Sequence, residues 1–396
     1  MSVPQLYEAV GLDAGSAWTR CVILRLDRGR LRFLGYGCAP SQGWVKGRIA
    51  DQAAAAEPML AALKAAEKDA QVSVEAAVVG VGASVRGANR RGFHDLSRPR
   101  TVDQRDVNRA VNRAANVQLP EDTMVLQLFP QDFVVDGHPG HRDPRRMTAC
   151  QIEANIHLVI TSTREHDCLV AAVNQAHLAV EETVSEAVAA GYAAVLPEDR
   201  REGASLLNVG AHSAELVAYY GDALQLCVSL PVGGDHFTRD VARGLHITFE
   251  DATVIKHEFG SANARDTASN SCVEVVSRDD RDVSRRTLNW ILESRAVDLF
   301  QLAQKELVRM GMGDSLAGGL FLAGGGARLE GMCEIAEQTL GCRVCNALPL
   351  GVEDWPEEIF DSTWTAVAGL AMYSAKLKSQ REAHRQAGGL LARIMR

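Results

Sequence analysis

Three stretches of the chain combine acidic or amide side chains with glycine at a spacing suited to binding phosphate. In the first, Asp13 stands two residues before Gly15 and is followed by Ser16, Ala17 and Trp18. In the second, Asn208-Val209-Gly210-Ala211-His212-Ser213 runs on to Glu215. The third is Gly324-Gly325-Gly326, with Arg328 close behind. Glycine lets the main chain turn sharply and come near a phosphate, so that backbone N–H groups donate to it directly. Apolar runs flank the first two turns, with Cys21-Val22-Ile23-Leu24 and Leu216-Val217-Ala218-Tyr219 on their far sides. A strand-turn-strand unit used twice predicts a duplicated α/β domain with two phosphate-facing hairpins.

The elements that must hold these turns follow from pattern and capping. Asp51 is placed to cap an Ala/Leu-rich helix through about Lys68, and Val74 to Val81 reads as a buried strand. Residues 83–162 differ in character. A basic, glycine-containing stretch from Arg86 to Arg100 leads to a helix opening near Asp103. Two strand-like runs follow, Met124–Val135 and Ile152–Thr161, separated by a polar loop from Asp136 to Pro144. This predicts a small α+β unit inserted in a larger plan.

Residues 163–375 resume that plan. A helix is expected near Glu165–Gln175 and a helical stretch near Glu181–Leu196, before the second hairpin. Gly233-Gly234-Asp235 opens another helix, and Thr248 caps the next. Ser261–Ser284 reads as loop or small sheet, Arg285–Met310 as a long amphipathic helix, and Thr363–Leu377 as the helix after the third glycine turn. The expected organisation is a lobe core over 1–82, an insert over 83–162, a second lobe over 163–375 with an outer subdomain near 235–315, and a tail over 376–396.

The tail is distinct. It carries six Lys/Arg against one Glu, in a chain of 396 residues with net charge −8. Gly388-Gly389 is expected to interrupt any helix there. Leu390, Leu391, Ile394 and Met395 fall on one apolar face flanked by Arg393 and Arg396, a pattern suited to a membrane surface.

Composition excludes several classes. Hydrophobic residues make up 46% and charged residues 23%, which is ordinary globular usage. The net negative charge and 5% aromatic content argue against nonspecific nucleic-acid binding and base stacking. No charged and apolar leader precedes the first strand, and no apolar run is long enough to span a bilayer. Nine cysteines are scattered without a disulfide framework, as expected in a reducing cytoplasm. Cys342 and Cys345 form a CxxC without a partner pair and read as strand residues. His138 and His141 sit in a Gly/Pro loop and read as solvent-exposed, and His212 as a surface turn histidine.

The order of these motifs resembles the actin-like ATPase superfamily, and within it the FtsA family of bacterial cell-division proteins. Leu128-Phe129-Pro130-Gln131-Asp132-Phe133-Val134-Val135-Asp136 and Asn155-Ile156-His157-Leu158-Val159-Ile160-Thr161 are similar to strands of that family's inserted subdomain. Pro231-Val232-Gly233-Gly234-Asp235-His236-Phe237-Thr238, Leu322-Ala323-Gly324-Gly325-Gly326 and Ser362-Thr363-Trp364-Thr365-Ala366-Val367-Ala368-Gly369-Leu370 match its running pattern, as does the basic tail. The resemblance implies an actin-like (ribonuclease H-like) two-lobe fold with the insert in the first lobe. It implies a cleft for ATP, with or without Mg²⁺, formed by Asp13, Gly15, Ser16, Ala17, Trp18, Gly210, Ser213, Gly233, Gly234, Glu250, Lys256, Gly324, Gly325, Gly326 and Arg328. It also implies binding of the FtsZ C-terminal peptide through Arg285, Arg286, Asn289 and Arg295, and membrane contact through the last seven residues. The expected setting is the inner face of the cytoplasmic membrane at the division site, with filament formation and contact with other division proteins.

The departures from the family pattern matter as much as the matches. The second phosphate turn of that family reads Asp-hydrophobic-Gly-Gly-Gly-Thr-x-Asp. Here Asn208 replaces the carboxylate that would organise Mg²⁺, Ala211 and His212 fill the glycine turn, and Trp18 stands where a lysine is common. Weak ATP turnover at most is expected, with Glu215 too far along its strand to substitute. An alternative reading is a scaffold similar to PilM of pilus systems, binding a peptide of a membrane partner.

Overall fold

The computed structural model describes residues 6–82, 84–265, 272–275, 281–313 and 315–394, with the side chains of the last helix described as far as Glu382. Two sheets organise the molecule. The first has six strands in the order Ala179–Ser185, Ala76–Val81, Tyr7–Ala14, Trp18–Asp27, Arg30–Pro40 and Val352–Glu353. Tyr7–Ala14 and Trp18–Asp27 form the expected hairpin, with Asp13 opposite Arg20. The helix Gln52–Ala70 covers this sheet with Ala55, Met59, Ala62, Leu63 and Ala66, an apolar stripe at helical spacing. Asp51 caps it by accepting from Ala54 N at 3.1 Å.

The second sheet has nine strands. Val344–Asn346, Gly319–Ala323, Ala204–Val209, Ala214–Tyr220 and Ala223–Leu230 belong to the second lobe, and Arg86–Thr101, Thr148–Ser162, Thr123–Val135 and His138–His141 to the insert. The helix Arg285–Arg309 packs beneath the second lobe's part through Leu288, Leu292, Ala296, Leu299, Ala303 and Leu307. Within Ser261–Ser284, which reads as loop or small sheet, Cys272–Val275 pairs with Arg281–Ser284.

Several expectations are corrected. Arg86–Thr101 is a strand of 16 residues, where the sequence shows a basic, glycine-containing stretch with no element assigned to it. Its inward face is carried by Gly92, His94 and Leu96, too weakly apolar for the alternation to stand out. Glu181–Ser185 is strand and only Glu186–Ala194 is helix, because the segment pairs in parallel with Ala76–Val81 at the edge of the first sheet. Ala179–Ser185, within the span expected for the second lobe, thus belongs to the first sheet. The insert also joins the second lobe: Ser229 N donates to Val85 O at 2.9 Å, and Gln131 Nε2 to Leu224 O at 2.8 Å. A short strand, His138–His141, occupies part of the loop expected at Asp136–Pro144.

The last helix, Thr365–Ile394, crosses Gly388 and Gly389 without the expected break. It lies directly on the first sheet. A Cβ on Gly11 would stand 2.5 Å from Ala371 N and from Val367 O, and one on Gly369 would stand 1.9 Å from Ala189 O. Leu390, Leu391, Arg393 and Ile394 fall on its final turns, where side chains are outside the description, and Met395 and Arg396 lie outside the described residues. No helix among the described residues is long and apolar enough to cross a membrane.

These close approaches generate a prediction. Gly369→Val should cost about 1–3 kcal/mol through overpacking, read as a lowered urea midpoint. Gly325→Ala, where an added Cβ meets nothing within 4 Å, should leave the midpoint unchanged.

Candidate functional site

A cleft of about 1310 Å³ opens between the two hairpin turns and takes its walls from both lobes. Its floor holds three carboxylates from three different elements: Asp13 at the end of the first strand, Glu186 at the start of a helix, and Glu215 on the second hairpin. Arg20 is the cation beside them, 4.0 Å from Asp13 and with its guanidinium 5.6 Å from the centre of the Trp364 ring. Glu215 accepts from Ala187 N at 3.1 Å. One oxygen of Asp13 and one of Glu215 are buried without a partner.

Withdrawal from water raises all three carboxyl groups above their ordinary range. The Asp13 charge adds to the rise at Glu186, while Arg20 opposes it at both Asp13 and Glu186. At Glu215 the neighbouring Glu186 adds to the rise and the Ala187 N–H opposes it.

The structure brings most of the expected residues together. Asp13, Gly15, Ser16, Ala17, Trp18, Gly210, Ser213, Gly234, Lys256, Gly324, Gly325, Gly326 and Arg328 all line the cleft. Gly324 has φ +82°, and a Cβ there would stand 2.7 Å from Asn208 Oδ1, so the third turn closes tightly on the second. Lys256 is half-buried and donates to Thr238 Oγ1 at 2.8 Å and Gly234 O at 3.2 Å. Burial holds its ammonium below the usual lysine range.

Two expected cleft residues stand elsewhere. Glu250 is exposed and off the cleft, because the helix Phe249–Phe259 turns Phe249, Thr253 and Lys256 inward at helical spacing. Gly233 packs against the second turn itself, its Cβ position within 2.6 Å of His212 C and Ser213 N.

The expected partner helix also needs correction. Asn289 is 1% exposed and accepts from Ser261 N at 2.9 Å, so it is part of the packing rather than the surface. The Arg295 guanidinium is held by Asp240 at 2.5 Å and Asp298 at 3.4 Å. Arg285 lies on the cleft side and donates to Phe259 O at 3.0 Å. Trp290 on the same helix is 64% exposed.

Sequence reasoning missed Glu186 and Arg20, and it judged Glu215 too distant. Glu215 stands directly opposite Asn208 across the hairpin, in the place Arg20 holds opposite Asp13. The seven-residue spacing in each hairpin carried that signal. His212 is not a simple surface histidine. Its ring packs against Gly47 of the facing Trp44–Ile49 hairpin, where a Cβ would meet Cδ2 at 2.6 Å, and its Nδ1 is 3.9 Å from Asp235.

Among the described residues no three His, Cys, Asp or Glu side chains stand ready to hold a metal ion by themselves. A magnesium ion binds through one or two carboxylates with phosphate oxygens and water as the remaining ligands. The unpartnered Asp13 oxygen fits that requirement.

Comparison with known proteins agrees with this geometry. Residues 82–160 match the family model of the SHS2 domain inserted in FtsA, and residues 205–369 that of the cell division protein FtsA. The FtsA of Pseudomonas aeruginosa is 29% identical over 376 residues, spanning 93% of this chain and 90% of that protein. The FtsA of Escherichia coli K12 is 28% identical over 370 residues, spanning 89% and 88%. Among solved structures, the PilM-PilN type IV pilus biogenesis complex aligns with TM-score 0.65 at 18% identity, over 93% of this chain and 98% of that one. MreB5 of Spiroplasma citri bound to AMPPNP aligns with TM-score 0.57 at 13% identity, over 96% and 100%. These two structures share the actin-like fold.

The buried acids predict a pH dependence. A carboxyl whose folded pKa is raised stabilises the fold below its unfolded pKa, and that contribution is lost as pH rises through the folded value. Glu215→Gln should therefore raise the melting temperature of the ligand-free protein at neutral pH and flatten its decline between pH 5 and pH 8. A thermal melt series across that range checks this.

Proposed function

The chain belongs to the FtsA family of actin-like cell-division proteins, and from this premise we propose that it tethers FtsZ filaments to the cytoplasmic membrane at the division site. The observation that carries this reading is the course of the last helix. It is locked onto the first lobe through Val367, Ala371 and Ala375, then continues to Ile394, toward the apolar and basic residues at the chain's end. A few buried side chains and several basic residues bind an anionic surface weakly and reversibly, at about 1 kcal/mol per basic residue. Self-association into actin-like filaments multiplies that weak contact through avidity.

Nucleotide serves in this reading as a structural ligand or switch, with slow turnover. Gly15, Gly210, Gly234 and Gly325 border the space for the phosphates, and Lys256 and Arg328 offer charge there. Bound Mg²⁺ would neutralise phosphate charge, with Asp13 as its protein anchor. Asn208 removes a carboxylate from the second turn, and the His212 side chain occupies a turn that glycines would leave open. Both features favour retention over hydrolysis.

FtsZ contact is placed by this proposal on the exposed face of the helix Arg285–Arg309, centred on Trp290, with Arg286 beside it. A large exposed aromatic next to a guanidinium suits an acidic, apolar peptide. Trp290→Ala should weaken binding of a labelled FtsZ C-terminal peptide by about tenfold or more in fluorescence anisotropy, with an unchanged melting temperature. Equal affinity for wild type and variant would remove this face from the site.

Deleting residues 383–396 should abolish pelleting with phosphatidylglycerol vesicles while leaving the fold intact, since Val367, Ala371 and Ala375, which hold the last helix on the first sheet, are kept. Full pelleting of the truncated protein would refute the membrane role of the tail.

A further inference from the structure

The insert's strand Arg86–Thr101 is paired over most of its length on one side only. It bonds the strand Thr148–Ser162 from Arg86 to Asp95, then loses register until Arg100. On its other side the second lobe contributes a single rung, Val228 opposite Arg86. From Asn89 to Asp95 no other strand lies along this edge among the described residues. An open edge offers N–H and C=O groups to any extended chain. The Phe93 carbonyl takes its hydrogen bond from the Arg113 side chain at 2.6 Å, so a helix residue serves a main-chain group here.

The surroundings of this edge are basic. Residues 86–113 contain eight arginines and three acids, in a chain of net charge −8. The three acids are already engaged. Asp106 holds Arg100 at 2.7 Å and His94 at 3.1 Å, Asp103 caps the helix Gln104–Ala115, and Asp95 accepts from Gln151 at 2.6 Å. Arg90, Arg98, Arg105 and Arg109 are exposed with no carboxylate within 4.0 Å among the described residues. Phe93 is 49% exposed on the strand between them.

Three occupants compete for such an edge. A second copy of the chain pairing edge to edge would set one arginine group against another, and like charges in contact oppose association. A lipid surface would use the charge but leave the open N–H and C=O groups without partners. An extended acidic chain uses both. Edge protection alone accounts for an arginine or two and for Pro99, but not for the further arginines on the helix that covers the sheet.

We propose that the edge Asn89–Asp95 receives an extended, acidic segment of a partner protein as an added strand. The segment would run about 23 Å, at roughly 3.3 Å per residue. The loss of register before Arg100, which contains Pro99, sets its limit. Its carboxylates would meet Arg90, Arg98 and the helix arginines, and an apolar side chain would cover Phe93. This site lies on the insert and is independent of the Trp290 face and of the cleft.

The test uses the full chain and a fluorescein-labelled decapeptide of alternating glutamate and valine. Anisotropy should show saturable binding, and hydrogen exchange should show new protection at amides within residues 89–95. The double variant Arg90→Glu/Arg98→Glu should weaken binding about tenfold or more. Two further peptides, N-methylated on alternate residues in opposite registers, need no protein variant: one should bind like the parent and the other should fail. The proposal is overturned if both methylated peptides bind like the parent, because charge alone would then suffice. It is equally overturned if a lysine–valine peptide binds as well as the acidic one. Loss of phosphatidylglycerol vesicle binding in the arginine variant, with no peptide binding by wild type, would assign the edge to lipid instead.

Discussion

Three carboxylates share one cleft with the Arg20 guanidinium beside them, and the way both lobes close around it sets how that charge is balanced. Asp13, Glu186 and Glu215 come from elements far apart in sequence, so only the closed pairing of both sheets brings them together. Burying like charges in a low-dielectric space is costly, and the fold offsets it only in part. Arg20 stands at 4.0 Å from Asp13 and the Ala187 N–H serves Glu215, while withdrawal from water raises all three carboxyl groups above their ordinary range. A cleft built this way has lower energy when a cation or a proton is present.

The duplication of the hairpin makes this balance intelligible. In the first hairpin an acid faces a base, Asp13 opposite Arg20; in the second an amide faces an acid, Asn208 opposite Glu215. The same register therefore carries different charge in the two lobes. Loss of the carboxylate at Asn208 leaves Glu215 as the second hairpin's contribution of negative charge. His212 adds a further change, since its ring reaches the Trp44–Ile49 hairpin of the opposite lobe. A turn that glycines would leave open has become a contact between lobes.

Rigidity outside the cleft comes from close backbone contact. The last helix meets the first strand at Gly11 and the helix Glu186–Ala194 at Gly369. The strand that carries Asp13 and the helix that begins at Glu186 thus both lie in close backbone contact with the helix leading toward the chain's end. The insert is joined to the second lobe by the rung at Val228 and by side-chain amides, although it interrupts the first lobe in sequence. The two lobes are linked on both sides of the cleft, through its floor and through the insert.

Much of the fold was legible in the sequence because its signals are local. Asp51, Asp103 and Thr248 cap the helices expected of them, the two hairpins form around the expected turns, and the long helix at Arg285 keeps its apolar stripe. Cleft residues within the glycine turns were readable for the same reason, since turn chemistry is written within a few residues. What depends on partners distant in the chain was not. The Glu181–Ser185 segment is a strand because Ala76–Val81 lies beside it, and the Arg86–Thr101 strand carries few apolar residues to announce itself. Glu186 carries no local signal and joins the cleft only through the tertiary fold, and Asn289 and Arg295, expected to meet a partner, are engaged by Ser261, Asp240 and Asp298. The sequence by itself determined the turns, the caps and the two-lobe plan, because those follow from neighbouring side chains and main-chain geometry. Only the tertiary structure decided which charges share the cleft and which edge stays open, because solvation and pairing belong to the assembled sheets and not to any one segment.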